Sequence, residues 1–290
     1  EQCAAITQAA AKILAEVREQ GERAVRRYSE QLDHAAPREI TQDELCDAYR
    51  RCDPAVRAAL LQAAENITAY HENMLAKSWE FAPQPGCRLG QRVRGLARVG
   101  IYVPGGTAAY PSSVLMNAIP ARVAGVGELI MVTPPTENLN TAVLAAAKIA
   151  GIDRVFAVGG VQAIGALSYG AGEIPRVDKI VGPGNAYVAA AKRLVYGTVD
   201  IDMVAGPSEI LILADESAPA AYVAADLLSQ AEHDKLASAI VVTTDEALAH
   251  AVCEQVEQQI KARARAEIIR ASLRDYGAII VVPDTIAACR

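Results

Sequence analysis

From residue 98 onward the chain alternates short apolar runs that end near Gly or Pro with alanine-rich stretches of helical length. Continuous Val/Ile runs without polar alternation are typical of parallel strands that helices cover on both faces. The sequence therefore predicts an α/β fold built from Rossmann-like parallel sheets, with right-handed crossovers. The predicted strands cover residues 99–103, 129–133, 155–158, 179–181, 210–213, 239–242 and 278–282.

The first 75 residues instead carry apolar residues at helical spacing. Gly21 predicts a break between two helices. Thr41 and Glu44 have the spacing of a capping box, and Asp53-Pro54 suits the start of a further helix. We expect this whole region to be helical, and the helix after Asp53 to bury one apolar face: Val56, Leu60, Ala63, Ile67, Tyr70 and Met74.

At 290 residues the chain is long enough for two cores. We expect one lobe at residues 98–206 and a second lobe of related topology from residues 1–97 together with 207–290. The early helices would then pack beside the C-terminal residues. A helix that starts after Pro283 has room for about one turn before Arg290, which is marginal alone. This predicts that the natural polypeptide continues or that a piece has been removed.

Composition narrows the class of ligand. The formal net charge is −6 and the Lys and Arg residues are scattered, which argues against a nucleic-acid partner. The sequence contains no run of 18 or more consecutive apolar residues without a charge, so a membrane-spanning helix is not expected. The six cysteines contain no Cys-x-x-Cys pair, which indicates reduced thiols and a cytoplasmic protein. Small molecules are the expected ligands.

Three loops that follow predicted strands are rich in glycine, at residues 104–106, 159–160 and 182–185. In an open parallel sheet such loops gather at the carboxyl edge, where ligands bind. Glycine lets backbone N–H groups approach a phosphate there. None of the three is a G-x-G-x-x-G fingerprint or a P-loop, and each alone is more often a plain turn. Three in one sheet strengthen the case for a ligand site but do not establish one.

Gln230 and His233 stand three residues apart near the end of a predicted helix, so both side chains can face one point. The pair suits two zinc ligands. In an isolated pair of this kind, the histidine more often stabilises the negative end of the helix. Ser208 lies outside a G-x-S-x-G elbow, which favours a turn or a substrate contact over a serine nucleophile. The remaining histidines have no partner at metal spacing and are expected to be structural: His34, His71 and His250.

Longer segments carry a family resemblance. They read VGIYVPGG at residues 99–106, YPSSVLM at 110–116, VGGVQAI at 158–164, VDKIVGPGN at 177–185, AGPSE at 205–209 and DLLSQAEH at 226–233. In order and spacing they closely resemble histidinol dehydrogenase over nearly the whole chain. This agreement is far more specific than any single loop.

The resemblance implies an aldehyde-dehydrogenase-like pair of lobes and a zinc-dependent, homodimeric enzyme of histidine biosynthesis. Such an enzyme oxidises L-histidinol to L-histidine through an aldehyde, with two NAD in succession. By position, Tyr102, Gln162 and Asn185 match residues that contact NAD, which would make 98–206 the NAD-binding lobe. Ser208 matches a substrate contact. Gln230 and His233 match zinc ligands that also contact the substrate.

The chain departs from the family pattern in one respect. The family's Tyr-Gly-Pro-Glu-His segment, whose Glu and His form the catalytic pair, has no counterpart in these 290 residues. The later Asp and His that complete the zinc site are also absent. We therefore expect this chain to have little activity and weak zinc affinity. Two alternatives stay open, namely a dehydrogenase of another small polar alcohol such as sulfopropanediol, and an inactive binding or scaffold protein.

Overall fold

The computed structural model describes residues 2–105, 110–135, 139–204 and 208–289, with the side chains of residues 2 and 3 excepted. The chain divides into two compact units, Glu1–Ala205 and Gly206–Arg290. Among the described residues, no helix is long and apolar enough to cross a membrane.

The described elements of the first unit follow the chain in this order: α1 (Gln2–Gln20), α2 (Glu22–Leu32), β1 (Arg38–Ile40), α3 (Gln42–Arg51), α4 (Pro54–Glu72), β2 (Trp79–Gln84), β3 (Cys87–Gln91), β4 (Arg98–Tyr102), α5 (Pro111–Val123), β5 (Glu128–Thr133), α6 (Thr141–Ile149), β6 (Arg154–Ala157), α7 (Gly160–Tyr169), β7 (Lys179–Val181), α8 (Ala186–Val195) and β8 (Asp200–Ile201).

The main sheet of this unit has the described strand order β1-β6-β5-β4-β7-β8. All neighbouring strands are parallel except β1, which pairs with β6 in the antiparallel direction. The chain runs outward from β4 through β5 to β6, and then crosses through α7 to β7 on the other side of β4. The strand order thus reverses between β4 and β7, and in open α/β sheets ligands bind at that reversal.

Helices cover both faces of this sheet, as predicted. Helices α1, α2, α7 and α8 form one apolar layer, and α3, α4, α5 and α6 form the other. The contact between α1 and α7 is close, because a Cβ on Gly165 would lie 3.0 Å from the Val17 side chain and 3.4 Å from Leu14. The early helices therefore pack on the first sheet, and their assignment to a second lobe together with residues 207–290 stays a prediction. Helical periodicity shows that a face is buried but does not identify its partner. The assignment of 98–206 as a lobe in its own right stays a prediction.

Local signals placed several element boundaries well. Gly21 adopts φ 56° at the break between α1 and α2. The Thr41 hydroxyl and the Glu44 carboxylate form the predicted capping box of α3. Asp53 caps α4 by accepting hydrogen bonds from the backbone N–H groups of residues 55 and 56. Every predicted strand is present to within one residue at each end.

Two expectations about the N-terminal region were wrong. Residues 38–40 form β1, a strand too short to show a periodic pattern. The Arg154 guanidinium of β6 donates hydrogen bonds of 2.8 and 2.7 Å to the two carboxylate oxygens of Glu39 in β1. Val56 and Tyr70 of α4, and Met74 just after its end, are exposed, because only the middle of that helix packs against α5 and α6.

The second unit continues with β9 (Glu209–Ala214), α9 (Ala220–Ala231), β10 (Ser238–Thr243), α10 (Glu246–Ile260), α11 (Ala266–Tyr276), β11 (Gly277–Val281) and α12 (Thr285–Ala288). Its described strands form a parallel sheet in the order β11-β10-β9. The charged helical stretch after residue 246 is two helices, separated at residues 261–265. Alternate strand residues such as Ile212 and Val241 pack with Leu228 of α9. Leu211 and Leu213, on the opposite face of β9, are exposed, so the described helices do not cover both faces here.

This asymmetry gives a paired stability prediction. Leu228→Ala removes a fully buried side chain and is expected to destabilise the second unit by about 2–5 kcal/mol. Leu211→Ala removes the same atoms from a side chain that is 64% exposed, and should cost under about 1 kcal/mol. Hydrogen exchange of the β10 amides measures both. Equal losses of protection would contradict the one-sided packing.

Candidate functional site

The carboxyl ends of β4 and β7 approach each other closely at the point where the strand order reverses. Gly182, directly after β7, has φ +109°, and a Cβ there would lie 2.1 Å from the Tyr102 carbonyl oxygen. Only glycine fits this position without strain, both because of its φ and because of its neighbour. Glycine therefore lets the two strand-end loops meet as one edge.

Tyr102 is the last residue of β4, and its side chain is buried. Its phenol oxygen accepts a hydrogen bond from the backbone N–H of Gly160 at 3.1 Å. Burial raises the pKa of the Tyr102 phenol, and the nearby Asp33 carboxylate raises it further, against the Gly160 hydrogen bond. The phenol thus stays neutral and joins β4 to the first residue of α7.

Gln162 lies in the first turn of α7 and is fully buried. Its Nε2 donates to the Asp33 carboxylate at 3.0 Å. Its Oε1 is buried without a hydrogen-bond partner. A buried acceptor left unpaired costs about 1–3 kcal/mol, so this oxygen is suited to a donor that arrives with a ligand or a water.

Asp33 is a site residue that the sequence analysis missed. It follows the last residue of α2, and its carboxylate accepts the Gly159 N–H as well as the Gln162 amide. Burial raises the pKa of the Asp33 carboxyl; these two hydrogen bonds and the charge of His34 oppose that rise. Asp33 is 129 residues from Gln162 along the chain, and no local pattern connects them.

Asn185 occupies the N-cap of α8. Its Oδ1 accepts the backbone N–H groups of Tyr187 and Val188 at 3.0 and 3.1 Å. This capping contact was not foreseen, although Asn is among the residues that favour the position. Because Oδ1 is engaged in the cap, a ligand contact would fall to Nδ2.

A buried lysine, also missed, holds the loop between β7 and α8. Lys192 is 3% exposed, and its Nζ donates to the Gly182 carbonyl at 2.9 Å and pairs with Asp202. The Asp202 carboxylate in turn accepts the Gly182 N–H at 2.8 Å. Both polar groups of residue 182 are therefore fixed by one ion pair. The first residue of the loop that leads to Asn185 is therefore held in place on both sides of its backbone.

The candidate residues of the second unit lie around the end of α9 and the start of β9. Gln230 is in the last turn of α9, and its Nε2 is buried without a hydrogen-bond partner. His233 is exposed, and its backbone N–H donates to the Gln230 carbonyl at 3.1 Å. Ser208 is exposed directly before β9. A backbone hydrogen bond thus joins Gln230 and His233, and the facing of their side chains toward one point stays a prediction.

Several other expectations can be placed. His71 has its Nδ1 2.8 Å from the Ile67 carbonyl oxygen, and a purely structural role for it stays a prediction. Within the described ranges no group of three or more His, Cys, Asp or Glu side chains is arranged to hold a metal ion. Gly106 of the first glycine-rich loop, and Ala205, Gly206 and Pro207 before Ser208, lie outside the described residues.

Comparison with known proteins adds an independent finding. A family model described as histidinol dehydrogenase matches residues 1–290. Histidinol dehydrogenase of Bordetella parapertussis is 53% identical over 295 aligned residues, which cover 100% of this chain and 67% of that protein. The corresponding enzyme of Burkholderia lata is 52% identical and is covered to 68%.

A crystal structure of histidinol dehydrogenase from Elizabethkingia anophelis superposes with a TM-score of 0.91 at 36% identity. The match covers 96% of this chain and 65% of that one. The chain thus spans about two thirds of the length of the relatives that it matches.

Proposed function

Because the chain belongs to the histidinol dehydrogenase family, a family of NAD-dependent oxidoreductases of histidine biosynthesis, we propose that its complete protein oxidises L-histidinol to L-histidine. The reaction would pass through the aldehyde and use two NAD in succession. The observation that carries this proposal is the 53% identity to a histidinol dehydrogenase over the whole of this chain. A cytoplasmic location and a homodimer are part of the same proposal.

The carboxyl edge of the first sheet supports an NAD site. NAD would supply the hydride acceptor. Gln162 offers a buried, unpartnered amide oxygen to a donor of the dinucleotide, so the residues present fit this cofactor. The Tyr102 phenol holds the backbone at Gly160 in place, and Asn185 fixes the start of α8. These residues would bind and orient the dinucleotide. The apolar residues that pack around Tyr102 would keep water away from the part of the dinucleotide bound beside it.

The second unit supports substrate contacts at Ser208, Gln230 and His233, as the resemblance implies. The catalytic Glu and His of the family pattern have no counterpart in these 290 residues. We therefore expect this chain to bind NAD without oxidising histidinol. In the complete protein the family's His would accept the hydroxyl proton and its Glu would activate water for the second oxidation.

Zinc belongs to the proposal for the complete protein only. A zinc site normally has four ligands, of which three or four come from the protein. The chain offers two candidates, Gln230 and His233, and the described residues hold no group of three or more His, Cys, Asp or Glu that could bind a metal ion, so the donor set does not fit a closed site.

This incomplete donor set predicts weak zinc binding by the 290-residue chain. We expect a Kd weaker than about 1 μM, a binding free energy less favourable than about −8 kcal/mol, whereas complete structural zinc sites bind far more tightly. His233→Ala should abolish the weak binding, and His250→Ala, which removes an exposed histidine of α10, should leave it unchanged. Competition with a zinc-sensitive chelating dye measures the affinity. Nanomolar binding that survives His233→Ala would contradict the assignment.

The reaction is tested on the complete gene product, purified and supplied with NAD and one alcohol at a time. We expect two NADH for each L-histidinol consumed. Turnover of sulfopropanediol or another small polar alcohol without turnover of histidinol would move the proposal to a different substrate. Failure to reduce NAD with any of these alcohols, despite bound zinc and a folded protein, would favour the scaffold alternative.

A further inference from the structure

We propose that Asp33 is a positioning residue of the dinucleotide site, because its carboxylate orients the Gln162 side chain so that the amide oxygen, and not the NH₂ group, faces the ligand. This inference rests on the NAD site proposed above. It assigns a role to the end of α2, an element outside the glycine-rich loops.

The orientation follows from hydrogen-bonding chemistry. An ionised carboxylate only accepts hydrogen bonds, so it must face the NH₂ group of an amide. Nε2 of Gln162 is 3.0 Å from Oδ2 of Asp33. The amide is planar, and Oε1 therefore points away from Asp33, where it is buried without a partner. Gln162 thus presents one acceptor of fixed direction, which suits an N–H or O–H donor of the dinucleotide.

The same carboxylate also holds the backbone at the start of α7. It accepts the Gly159 N–H, while the next N–H, that of Gly160, donates to the Tyr102 phenol. Gly160 has φ +62°, and a Cβ there would lie 2.8 Å from Oε1 of Gln162. Asp33 and Tyr102 together fix the turn on which Gln162 stands.

The burial of the Asp33 carboxylate lowers the stability of the fold. A role of Asp33 in binding can therefore be separated from a role in folding. Burial is the main cause of the raised pKa of Asp33; Tyr102 and His34 are the titratable groups that interact with it. A carboxyl whose pKa is higher in the folded state contributes stability below its unfolded pKa. That contribution is lost as the pH rises through the folded pKa. Ionisation of Asp33 therefore lowers the stability of the fold.

Asp33→Asn tests the proposal. An asparagine can offer either its oxygen or its NH₂ group to Gln162, so the Gln162 amide is free to reverse. We expect the Kd for NAD at neutral pH, measured by titration calorimetry on the 290-residue chain, to rise at least about tenfold. The melting temperature should stay equal or rise. Glu30→Gln, a neutralised carboxylate on the exposed side of the same helix, should change neither quantity.

The pH dependence supplies a second readout. In the unsubstituted chain, NAD affinity should fall as acid protonates Asp33, and this dependence should be missing from Asp33→Asn. Unchanged affinity in Asp33→Asn would overturn the proposal. A joint loss of affinity and melting temperature would overturn it as well, because Asp33 would then act only through the fold.

A readout without NAD separates this inference from the proposed function. The side-chain ¹⁵N signal of Gln162, followed by NMR over the acid range, should shift with the titration of Asp33 and be insensitive to acid in Asp33→Asn. If the chain binds no NAD but this shift is present, the NAD site fails and the orientation of Gln162 stands. If the Gln162 signal does not respond, the contact with Asp33 is overturned whatever the chain binds.

Discussion

Gly182→Ala is expected to lower the stability of the first unit by about 3 kcal/mol, through strain of about 1–3 kcal/mol from the positive φ and a further contribution from the steric collision. Residue 182 has φ +109°, and a Cβ there would lie 2.1 Å from the Tyr102 carbonyl oxygen, a backbone atom that cannot swing aside. Either β4 and β7 separate at their carboxyl ends or the loop to Asn185 changes its path. Both outcomes should also weaken NAD binding.

Gly197→Ala is the matched control. Gly197 has a similar φ of +96°, but a Cβ there meets nothing within 4 Å, so only the backbone strain is expected, at the low end of about 1–3 kcal/mol. The chain has two units and need not unfold in one step, so hydrogen exchange of the β4 and β7 amides is the suitable measurement. Equal effects of the two substitutions would show that the close approach of β7 to Tyr102 is incorrect.

Lys192→Met is expected to destabilise the first unit by about 3 kcal/mol, because it removes the buried lysine of an ion pair whose other partner, Asp202, is partly exposed. Methionine fills much of the same volume, so the loss comes from the polar groups left behind. These are the Asp202 carboxylate and the Gly182 carbonyl, which both bind Nζ of Lys192. The loop between β7 and α8 should become mobile as a result.

Lys179→Met provides the comparison. Lys179 also pairs with an aspartate of the segment after α8, Asp200 at 2.7 Å, but this pair is about one third to one half exposed. Its loss should cost under about 1 kcal/mol. Adding Asp202→Asn to Lys192→Met should recover part of the stability, since no charge is then left unpaired. Failure of the double substitution to recover stability would contradict the ion pair as the cause.

Local chemistry explains why much of the fold was predictable. Val/Ile runs ending near glycine give the parallel strands, and Thr41 and Asp53 mark helix starts through side-chain hydrogen bonds to nearby N–H groups. These signals all act within a few residues. The short edge strand at residues 38–40 has no such signal, since it depends on the partner strand β6.

The candidate site was predictable only in part for the same reason. Tyr102, Gln162 and Asn185 lie in recognisable segments at strand ends. The side chains that hold these segments in place come from elsewhere in the chain. Asp33 reaches Gln162 across 129 residues, and Lys192 reaches back ten residues to the Gly182 carbonyl. Such contacts depend on which helices share a face of the sheet, and periodicity alone does not provide that information.

The central claim is that the carboxyl edge of the first sheet binds NAD in this chain. The most direct measurement is an NMR titration of the 290-residue chain with NAD, with Gln162→Leu as the comparison. We predict that the backbone signals of Tyr102, Gly160 and Asn185 shift together and saturate. Gln162→Leu should raise the Kd obtained from these shifts by at least about tenfold. Saturating shifts located elsewhere, with these three signals unchanged, would contradict the account.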